Sequence, residues 1–588
     1  LEDSIQHNHL TLERFMGSAD GFQCTENIMN DLHHTANVTY NVLRGGIFFE
    51  NYLINKNSIV QFVQKRNTKI FDKYCKDLDA LPENFGIKFL KEFGDKTKEP
   101  SFQRLCREYL PLTLGRRHGD PSRPWNHFNI RTKDEKGDPI LYFEGNWRDI
   151  FQNWEALGFS YPEAWESMVC IFLNATSVDG YNPYRITSDG IDWEVIETDD
   201  SWSHIGYWND HQIIYLLKLF EHLNNTCPKV IIKLFKEKIF SYANIPYRLK
   251  PFKLIVENPK KTLDFDFKEH NDIEQLVKKL GTDGKLVLKN KKTVYHVNMC
   301  EKIIVILLAK ICNYVPGAGI WLNTQRPEWN DANNALVGNG TSMVTVYYLR
   351  RFLKFFEGIL NKIENENVSI TTEVWLWFNN VKNIVLNSKN DHHLFSDKDR
   401  MTYVSSLGKA FEKYRNKVYN HGFSNQQDCS IKDIKEFTIA IKENFDQTIH
   451  INKGPNGLFH AYNTIQINLK DQCIDINNLD LMLEGQVAGI SSRASNPNDT
   501  IITMESLFSS KLYREDMESF ILYPQKELVP FLEKNLIKSS FIQNSKLLTE
   551  MIQKNDKSII ELDCKGNFRF NPHFRNSFDL KHNLKQIT

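Results

Sequence analysis

Residues 209–223 read NDHQIIYLLKLFEHL and show the pattern that decides the fold class. Five apolar side chains, Ile213, Ile214, Leu216, Leu217 and Phe220, fall on one broad helical face. Roughly a dozen segments between residues 146 and 553 have comparable helical spacing, and irregular loops join them. The spacing therefore predicts a mainly α protein.

Strand patterns are few in this sequence. Residues 252–256, 286–288 and 293–297 are predicted to form a small sheet, and residues 559–562 and 568–570 to form a hairpin. The sequence shows no repeat of 20–50 residues, which argues against a solenoid. A dozen helices in one body favour an (α/α)6 toroid, in which inner and outer helices alternate and loops at one end form a pocket.

These patterns also predict a domain organisation. Residues 1–40 are expected to be a lead-in or linker. Residues 41–555 are expected to form the toroid, with a β insertion near 250–298. Residues 556–588 are expected to add a β-hairpin and a C-terminal extension.

Composition narrows the functional classes. The 588 residues include 41% apolar and 25% charged residues, which suits a soluble globular protein. The 73 Lys and Arg residues balance the 73 Asp and Glu residues, so charge gives no reason to expect nucleic-acid or membrane binding. The chain begins at Leu1 and shows no secretory leader. Its ten cysteines include no C-x-x-C pair, so we expect no metal site and a cytoplasmic location.

The densest group of candidate catalytic residues is TQRPEWND at residues 324–331. Glu328 and Asp331 are three residues apart and flank Trp329 and Asn330. In glycoside cleavage, a carboxylic acid protonates the leaving oxygen and an aromatic ring stacks on the sugar. The alternative is a capping loop whose polar side chains accept hydrogen bonds from backbone N–H groups.

Two further polar groups precede predicted helices. Arg148, Asp149 and Gln152 suit the hydroxyls of a sugar, because hydroxyls both donate and accept hydrogen bonds. The alternative is an acid facing the helix dipole, with Arg148 as its surface partner. Residues 201–212, SWSHIGYWNDHQ, hold more polar and aromatic groups than a helix start needs, which favours a site-lining loop.

Two more segments carry candidate residues. Glu484 and Gln486 lie in an apolar helical stretch and need partners if they are buried; a satisfied core pair is as consistent as a site role. Residues 112–130 form a basic, turn-rich loop whose three arginines suit an anion such as phosphate, or else a solvated loop. The candidate phosphate-binding residues are Arg116, Arg117 and Arg123.

From about residue 44 to residue 492, the order of these segments resembles the cellobiose phosphorylase family of inverting glycoside phosphorylases, which have an (α/α)6 toroid. In that family an Arg-Asp pair followed by Gln binds the sugar, and Arg148, Asp149 and Gln152 match it. The family motif Asp-Trp-Asn-Asp carries the general acid at its last position. Here it reads Glu-Trp-Asn-Asp, which implies that Asp331 is the acid.

The resemblance implies phosphorolysis of a β-glucosidic bond, with inorganic phosphate as co-substrate and no other cofactor. An inverting hydrolase with Glu484 as the base remains an alternative, as does a non-catalytic glycan-binding or scaffold subunit. The expected partner is an oligosaccharide or glycoside, and a homodimer or further domains of a longer chain stay open. The predicted substrate-binding residues are Arg148, Asp149, Gln152, Trp208, Asp210, Arg326, Glu328, Trp329 and Gln486.

Overall fold

The computed structural model divides into two compact units, Leu1–Tyr523 and Pro524–Thr588. This division falls earlier than the predicted start of the C-terminal extension at residue 556, and the predicted domain bounds stay predictions. The structure describes residues 2–18, 21–45, 47–48, 52–113, 135, 141–183, 185–193, 195, 212–323, 335–388, 395–524, 530, 533, 536–575 and 577–587.

Helices make up most of the described part of the first unit, which confirms the mainly α prediction. In chain order they are α1 (Glu2–Ser18), α2 (Ile28–Gly45), α3 (Lys56–Arg66), α4 (Thr68–Asp79), α5 (Ile87–Thr97), α6 (Pro100–Glu108), α7 (Trp147–Ser160), α8 (Trp165–Asn174), α9 (Gln212–Thr226), α10 (Pro228–Lys236), α11 (Phe252–Glu257), α12 (Phe267–Leu280), α13 (Met299–Ile311), α14 (Met343–Lys362), α15 (Thr372–Asn387), α16 (Asp397–His421), α17 (Ile431–Ile451), α18 (Leu483–Ser491) and α19 (Pro497–Phe508).

The strands of this unit are short. They are β1 (Ile47–Phe48), β2 (Ile54–Asn55), β3 (Asn84–Phe85), β4 (Leu112–Thr113), β5 (Glu144–Asn146), β6 (Arg185–Thr187), β7 (Gly190–Asp192), β8 (Tyr247–Leu249), β9 (Leu263–Phe265), β10 (Leu288–Lys289), β11 (Thr293–Val294), β12 (Tyr314–Val315), β13 (Gly319–Trp321), β14 (Gly340–Ser342), β15 (Asn367–Thr371), β16 (Gln426–Ser430), β17 (Tyr462–Asn468), β18 (Cys473–Asn478), β19 (Tyr513–Arg514) and β20 (Ser519–Phe520).

Two sheets matter for the site. Strands β12, β13, β14, β17 and β18 form one antiparallel sheet in that order, and the 324–334 segment connects β13 to β14. Strands β5, β6 and β7 form a second sheet, in which β5 runs directly into α7.

Helix α13 lies in the centre of the core, because every one of its residues is buried. Asn298 caps it, and its side-chain oxygen accepts a hydrogen bond from the Glu301 N–H at 2.9 Å. Around this core, α14 packs on α9, α17 and α18, and α15 packs on α16. The helix predicted at 209–223 is α9, which ends three residues later.

The prediction of a small sheet from residues 252–256, 286–288 and 293–297 is wrong in part. Residues 252–256 lie in helix α11, where Phe252, Ile255 and Val256 are buried at the i, i+3 and i+4 spacing of a helix. The turn between residues 286 and 297 is confirmed, since β10 pairs with β11 across it. Helix α19 begins at Pro497, and the Asn496 side chain caps it by accepting from the Asp499 N–H.

The second unit is described by itself. It contains α20 (Ser539–Gln543), α21 (Lys546–Gln553), β21 (Ile560–Leu562), β22 (Phe568–Phe570) and α22 (Ser577–Ile587). The hairpin predicted at 559–570 is confirmed, since β21 pairs with β22. Ile560 lies opposite Phe570, and Leu562 lies opposite Phe568. Its core consists of Met551, Ile559 and Ile560. Across the described ranges of both units, each helix is too short or too polar to span a bilayer.

Candidate functional site

The side chains of most predicted site residues lie outside the described part of the structure. Arg148, Asp149 and Gln152 lie in α7, but their side chains are outside the described part, whereas Glu484 and Gln486 are fully described. The remaining predicted site residues lie outside the described ranges: Arg116, Arg117, Arg123, Trp208, Asp210, Arg326, Glu328, Trp329 and Asp331. The roles of all these residues stay predictions.

The loop at residues 175–182 follows α8 and is fixed by hydrogen bonds from several elements. Its Thr176 carbonyl accepts from Ala243 N at 3.0 Å and from Lys302 Nζ at 3.1 Å. Its Val178 carbonyl accepts from the Tyr414 hydroxyl at 2.7 Å. Backbone groups that are held this way cannot move without leaving buried polar atoms unpaired.

This loop holds the starts of α7 and α9 together. Gln212, the first residue of α9, donates from Nε2 to the Gly180 carbonyl at 3.0 Å and to Asn182 Oδ1 at 2.9 Å. The Asn182 amide also lies 2.5 Å from Nε1 of Trp147, the first residue of α7. When the Asn182 oxygen faces Trp147, it accepts from Nε1 at the start of α7, and the Gly180 carbonyl still accepts from Gln212 at the start of α9.

The same loop reaches the start of the 324–334 segment. Asn313 donates from Nδ2 to the Tyr181 hydroxyl at 3.2 Å and accepts on Oδ1 from Asn323 Nδ2 at 2.8 Å. Asn323 directly precedes the segment that carries Asp331. Beyond the segment, Gly338 N donates to the Leu322 carbonyl at 2.7 Å, which closes its base.

The loop at 175–182 thus joins residues that flank three predicted site segments. Trp147 precedes Arg148 and Asp149, Gln212 follows Asp210 by two positions, and Asn323 precedes the 324–334 segment. The sequence analysis included Gln212 only as the end of residues 201–212, and it missed Asn182, Asn323 and the loop itself. A turn signal, Asp179-Gly180, was present in the sequence, but nothing local marked its buried partners.

A buried carboxylate lies inside this loop. Asp179 is fully buried and accepts hydrogen bonds from the Ser177 and Tyr419 hydroxyls. Burial and the neighbouring Asp179 charge together raise the pKa of Tyr419 well above its usual value. Tyr419 therefore remains a hydroxyl donor to Asp179 at neutral pH.

Two adjacent ionisable residues of α13, Glu301 and Lys302, are buried, and Lys302 contacts the loop. Burial lowers the pKa of Lys302 well below its usual value, although Glu301 acts in the opposite direction. Lys302 Nζ lies 3.6 Å from the Tyr242 ring centroid. Burial raises the pKa of Glu301, even though the Thr371 N–H donates to its carboxylate at 2.7 Å.

Glu484 and Gln486 differ in their described contacts. Glu484 accepts a hydrogen bond from the Tyr462 hydroxyl at 3.0 Å. Tyr462 pairs with Ser342, the last residue of β14, whereas the 324–334 segment precedes the first residue of that strand. Gln486 is fully buried and bonds backbone atoms of Phe459 and Met482. The contacts of Gln486 are those of the satisfied core side chain that the sequence left open as an alternative.

A cavity of about 640 Å³ lies beside β12 and the end of α17. Tyr314, Phe395, Asn444 and His450 are among the residues that line it. Among the residues that the structure describes, those that line this cavity are not predicted site residues. Within the described ranges, no three His, Cys, Asp or Glu side chains group together as metal ligands would.

Comparison with known proteins defines the class of enzyme. Residues 48–111 match glycoside hydrolase family 149 insertion domain 1, and residues 528–588 match GH149 phosphorylase insertion domain 2. No curated protein sequence matches the chain. The two domain matches indicate a glycoside phosphorylase, and they support a protein similar to the phosphorylases of family 149.

Proposed function

We propose that this glycoside phosphorylase cleaves a β-glucosidic bond with inversion and uses inorganic phosphate as its second substrate. The matches to two phosphorylase insertion domains carry the choice of phosphate over water. The 175–182 loop bonds Trp147 through Asn182 and Gln212 through Gly180, and its Tyr181 reaches Asn323 through Asn313. These contacts support one shared pocket.

In this proposal Asp331 is the general acid. It donates its proton to the glycosidic oxygen while a phosphate oxygen attacks the anomeric carbon from the opposite face. The bond to the leaving sugar breaks as the bond to phosphate forms, so a β-linked substrate gives an α-sugar 1-phosphate. Phosphate is itself the nucleophile, so the protein needs no base.

The other predicted residues bind the two substrates. Arg148, Asp149 and Gln152 hold sugar hydroxyls, with Trp208, Asp210, Arg326, Glu328 and Trp329 around them. Arg116, Arg117 and Arg123 hold phosphate, because guanidinium groups match its oxygens in charge and geometry. The Gln486 amide is already bonded to backbone atoms of Phe459 and Met482, so we assign it no direct bond to the sugar.

We also propose that the helical body is an (α/α)6 toroid like that of the cellobiose phosphorylase family. The completely buried helix α13 is what an inner helix of such a ring would be. All ten cysteines are free thiols, which favours the cytoplasm, where thiols stay reduced and phosphate is available.

The experiment incubates the protein with β-linked glucose disaccharides of each linkage, with and without inorganic phosphate. We expect glucose 1-phosphate only when phosphate is present, and proton NMR should show the α anomer. Free glucose without phosphate would instead identify a hydrolase, and Glu484→Gln would then test the base. The β anomer of glucose 1-phosphate would exclude inversion.

The acid is tested with Asp331→Asn. Removing a general acid should lower kcat by on the order of 10²–10⁴-fold. The control is Asp471→Asn, an exposed carboxylate that accepts from Asn468 Nδ2 in the turn between β17 and β18. Wild-type turnover in Asp331→Asn would remove this residue from the mechanism.

A further inference from the structure

Residues 48–111, the matched insertion domain 1, contribute to a buried group of charges. Arg104 donates to Glu108 at 3.0 Å and to Asp283 at 2.5 Å, and Arg66 also donates to Glu108. The side chains of all four residues are at most 9% exposed. Their two positive and two negative charges balance, as burial requires.

Glu108 also reaches beyond this charge group. Its Oε2 accepts from the two arginines, while its Oε1 accepts from Asn174 Nδ2 at 2.6 Å. Asn174 is the last residue of α8 and directly precedes the 175–182 loop. Its own oxygen accepts from Ser241 N at 2.8 Å, so neither end of its amide is free to turn.

A second group of charges joins the same domain to the other end of α8. Glu166 pairs with Lys91 at 3.1 Å and with Arg107 at 3.0 Å. It lies in the first turn of α8, eight positions before Asn174, or about 12 Å along the helix axis. Glu166 therefore attaches the domain to α8 but does not contact the 175–182 loop.

We propose that Glu108 is a positioning residue, through which insertion domain 1 fixes the 175–182 loop and thereby the segments that bind substrate. The inference rests on the proposed function for its kinetic test. The path runs from Glu108 to Asn174 and then to the loop. There Gly180 accepts from Gln212 of α9, and Asn182 contacts Trp147 of α7. Tyr181 reaches Asn323, which precedes the 324–334 segment, through Asn313.

The bond between Glu108 and Asn174 suits this purpose. A hydrogen bond to a charged acceptor is stronger and more directional than a neutral one. If it breaks, the buried Asn174 N–H loses its partner, and the loop can shift to find another. A displacement of about 1 Å at substrate-binding groups can cost on the order of 100-fold in rate.

The test compares three variants of the full chain. In Glu108→Gln the two arginine donors hold the amide oxygen, so the new NH2 group faces the Asn174 NH2 group and the link to the loop is lost. Glu166→Gln is the matched control, because it weakens the same domain contact away from the loop. The double variant Glu108→Gln/Asn174→Asp exchanges amide and carboxylate. Its new amide nitrogen at position 108 donates to the new carboxylate at position 174, which still accepts from Ser241 N.

The first measurement is phosphorolysis of the best disaccharide substrate. We expect Glu108→Gln to lower kcat/KM by roughly 10–100-fold, while Glu166→Gln stays within about twofold despite a similar loss of thermal stability. The exchanged pair should recover most of the lost activity. Equal activity in Glu108→Gln and Glu166→Gln, or no recovery in the exchanged pair, would overturn the proposal.

The second measurement is hydrogen–deuterium exchange of the backbone at residues 175–182, which does not depend on any substrate. Glu108→Gln should speed this exchange by on the order of tenfold, and Glu166→Gln should leave it unchanged. Unchanged exchange in Glu108→Gln would overturn the positioning role. If the wild type forms no sugar phosphate at all, the proposed function fails, and the exchange result still decides the role of Glu108.

A further variant guards against misfolding. If Glu108→Gln shows no cooperative melting, Asn174→Ala takes its place, because it leaves both arginine contacts of Glu108 intact. The same loss of activity and the same faster exchange at 175–182 are expected. A folded Asn174→Ala variant with wild-type kinetics and exchange would contradict the proposal.

Discussion

Buried amide side chains fix residues that flank the predicted site segments. Asn182, Gln212 and Asn323 are each at most 6% exposed, and each bonds a residue from a different segment. An unpaired buried polar group costs about 1–3 kcal/mol, so these amides favour one arrangement over its neighbours. Apolar packing alone is less selective, because dispersion and burial have no preferred direction.

Gln486 offers a test at the scale of one residue. Its amide makes three hydrogen bonds, to Phe459 N at 2.8 Å, Phe459 O at 2.7 Å and Met482 O at 2.9 Å. Gln486→Ala should lower the free energy of unfolding by roughly 2–4 kcal/mol, from lost bonds and a new cavity. Urea denaturation measures this. A direct substrate contact would instead appear as a raised KM in a variant of wild-type stability.

His296 makes stability depend on pH. Burial, with a smaller contribution from the Arg104 charge, lowers its pKa from 6.5 to about 3. Between pH 6.5 and 3 the unfolded chain therefore binds a proton that the folded protein does not bind, and stability falls as pH falls. The ring is only partly buried, so we expect a loss of roughly 1–3 kcal/mol.

Calorimetry at about pH 7, 6 and 5 measures this dependence. His296→Gln cannot take up the proton, so its melting temperature should fall less than that of the wild type over this range. The range stays above the window in which Asp95 and Glu166 lose stability, since their pKa values are lowered. Parallel curves for variant and wild type would show that His296 does not cause the change.

At the scale of elements, Gly180 sets the distance between the 175–182 loop and α13. Its φ is +82°, and an added Cβ would lie 2.6 Å from Ala309 Cβ and 2.8 Å from the Val305 carbonyl. Gly180→Ala should therefore displace the loop and cost roughly 2–4 kcal/mol in stability. We expect kcat/KM to fall as well, because Gly180 accepts from Gln212 at the start of α9.

Gly422 provides the matched control for Gly180. It also has a positive φ, +67°, but no atom lies within 4 Å of an added Cβ. Gly422→Ala should cost about 1 kcal/mol from backbone strain alone and leave activity unchanged. Thermal melting and initial rates of both variants separate crowding from strain. Equal effects in the two variants would argue against a close fit of the loop on α13.

Elements with strong local patterns were predictable from the sequence. The helix at 209–223 and the hairpin of β21 and β22 were predicted with small errors at their ends. Helices α3–α6 were missed, although α6 has the amphipathic pattern that predicts a helix. The apolar stretch at 252–256 was too short for its periodicity to distinguish a helix from a strand. In the structure it is a helix that begins directly after Pro251.

For the whole molecule, the sequence indicated which segments carry candidate residues but not what joins them. Gln212 bonds residues some 30 positions away, and Glu108 bonds Asn174 across 66 positions. Such contacts depend on tertiary geometry, and no local spacing encodes them. The family resemblance supplied roles for Asp331 and Asp149, whereas the structure supplied the loop that connects their segments.

The division after Tyr523 leads to a last prediction, for the molecule as a whole. The members of the large apolar core of the first unit all lie between residues 48 and 488. A chain that ends at Tyr523 should therefore melt cooperatively within a few degrees of the full chain. The control is a chain that ends at Asn496, which loses α19 and its contacts with α18.

The second unit should behave differently when it is isolated. In its described part, the buried apolar residues are Ile542, Met551, Ile559 and Ile560, whereas Phe541 and Phe578 are 72% and 80% exposed. A domain of this size buries too little apolar surface to offset much chain entropy, so residues 524–588 alone should show marginal or non-cooperative melting. Circular dichroism of both fragments tests the pair of expectations. Loss of cooperative melting in the chain ending at Tyr523 would mean that the first unit depends on the second.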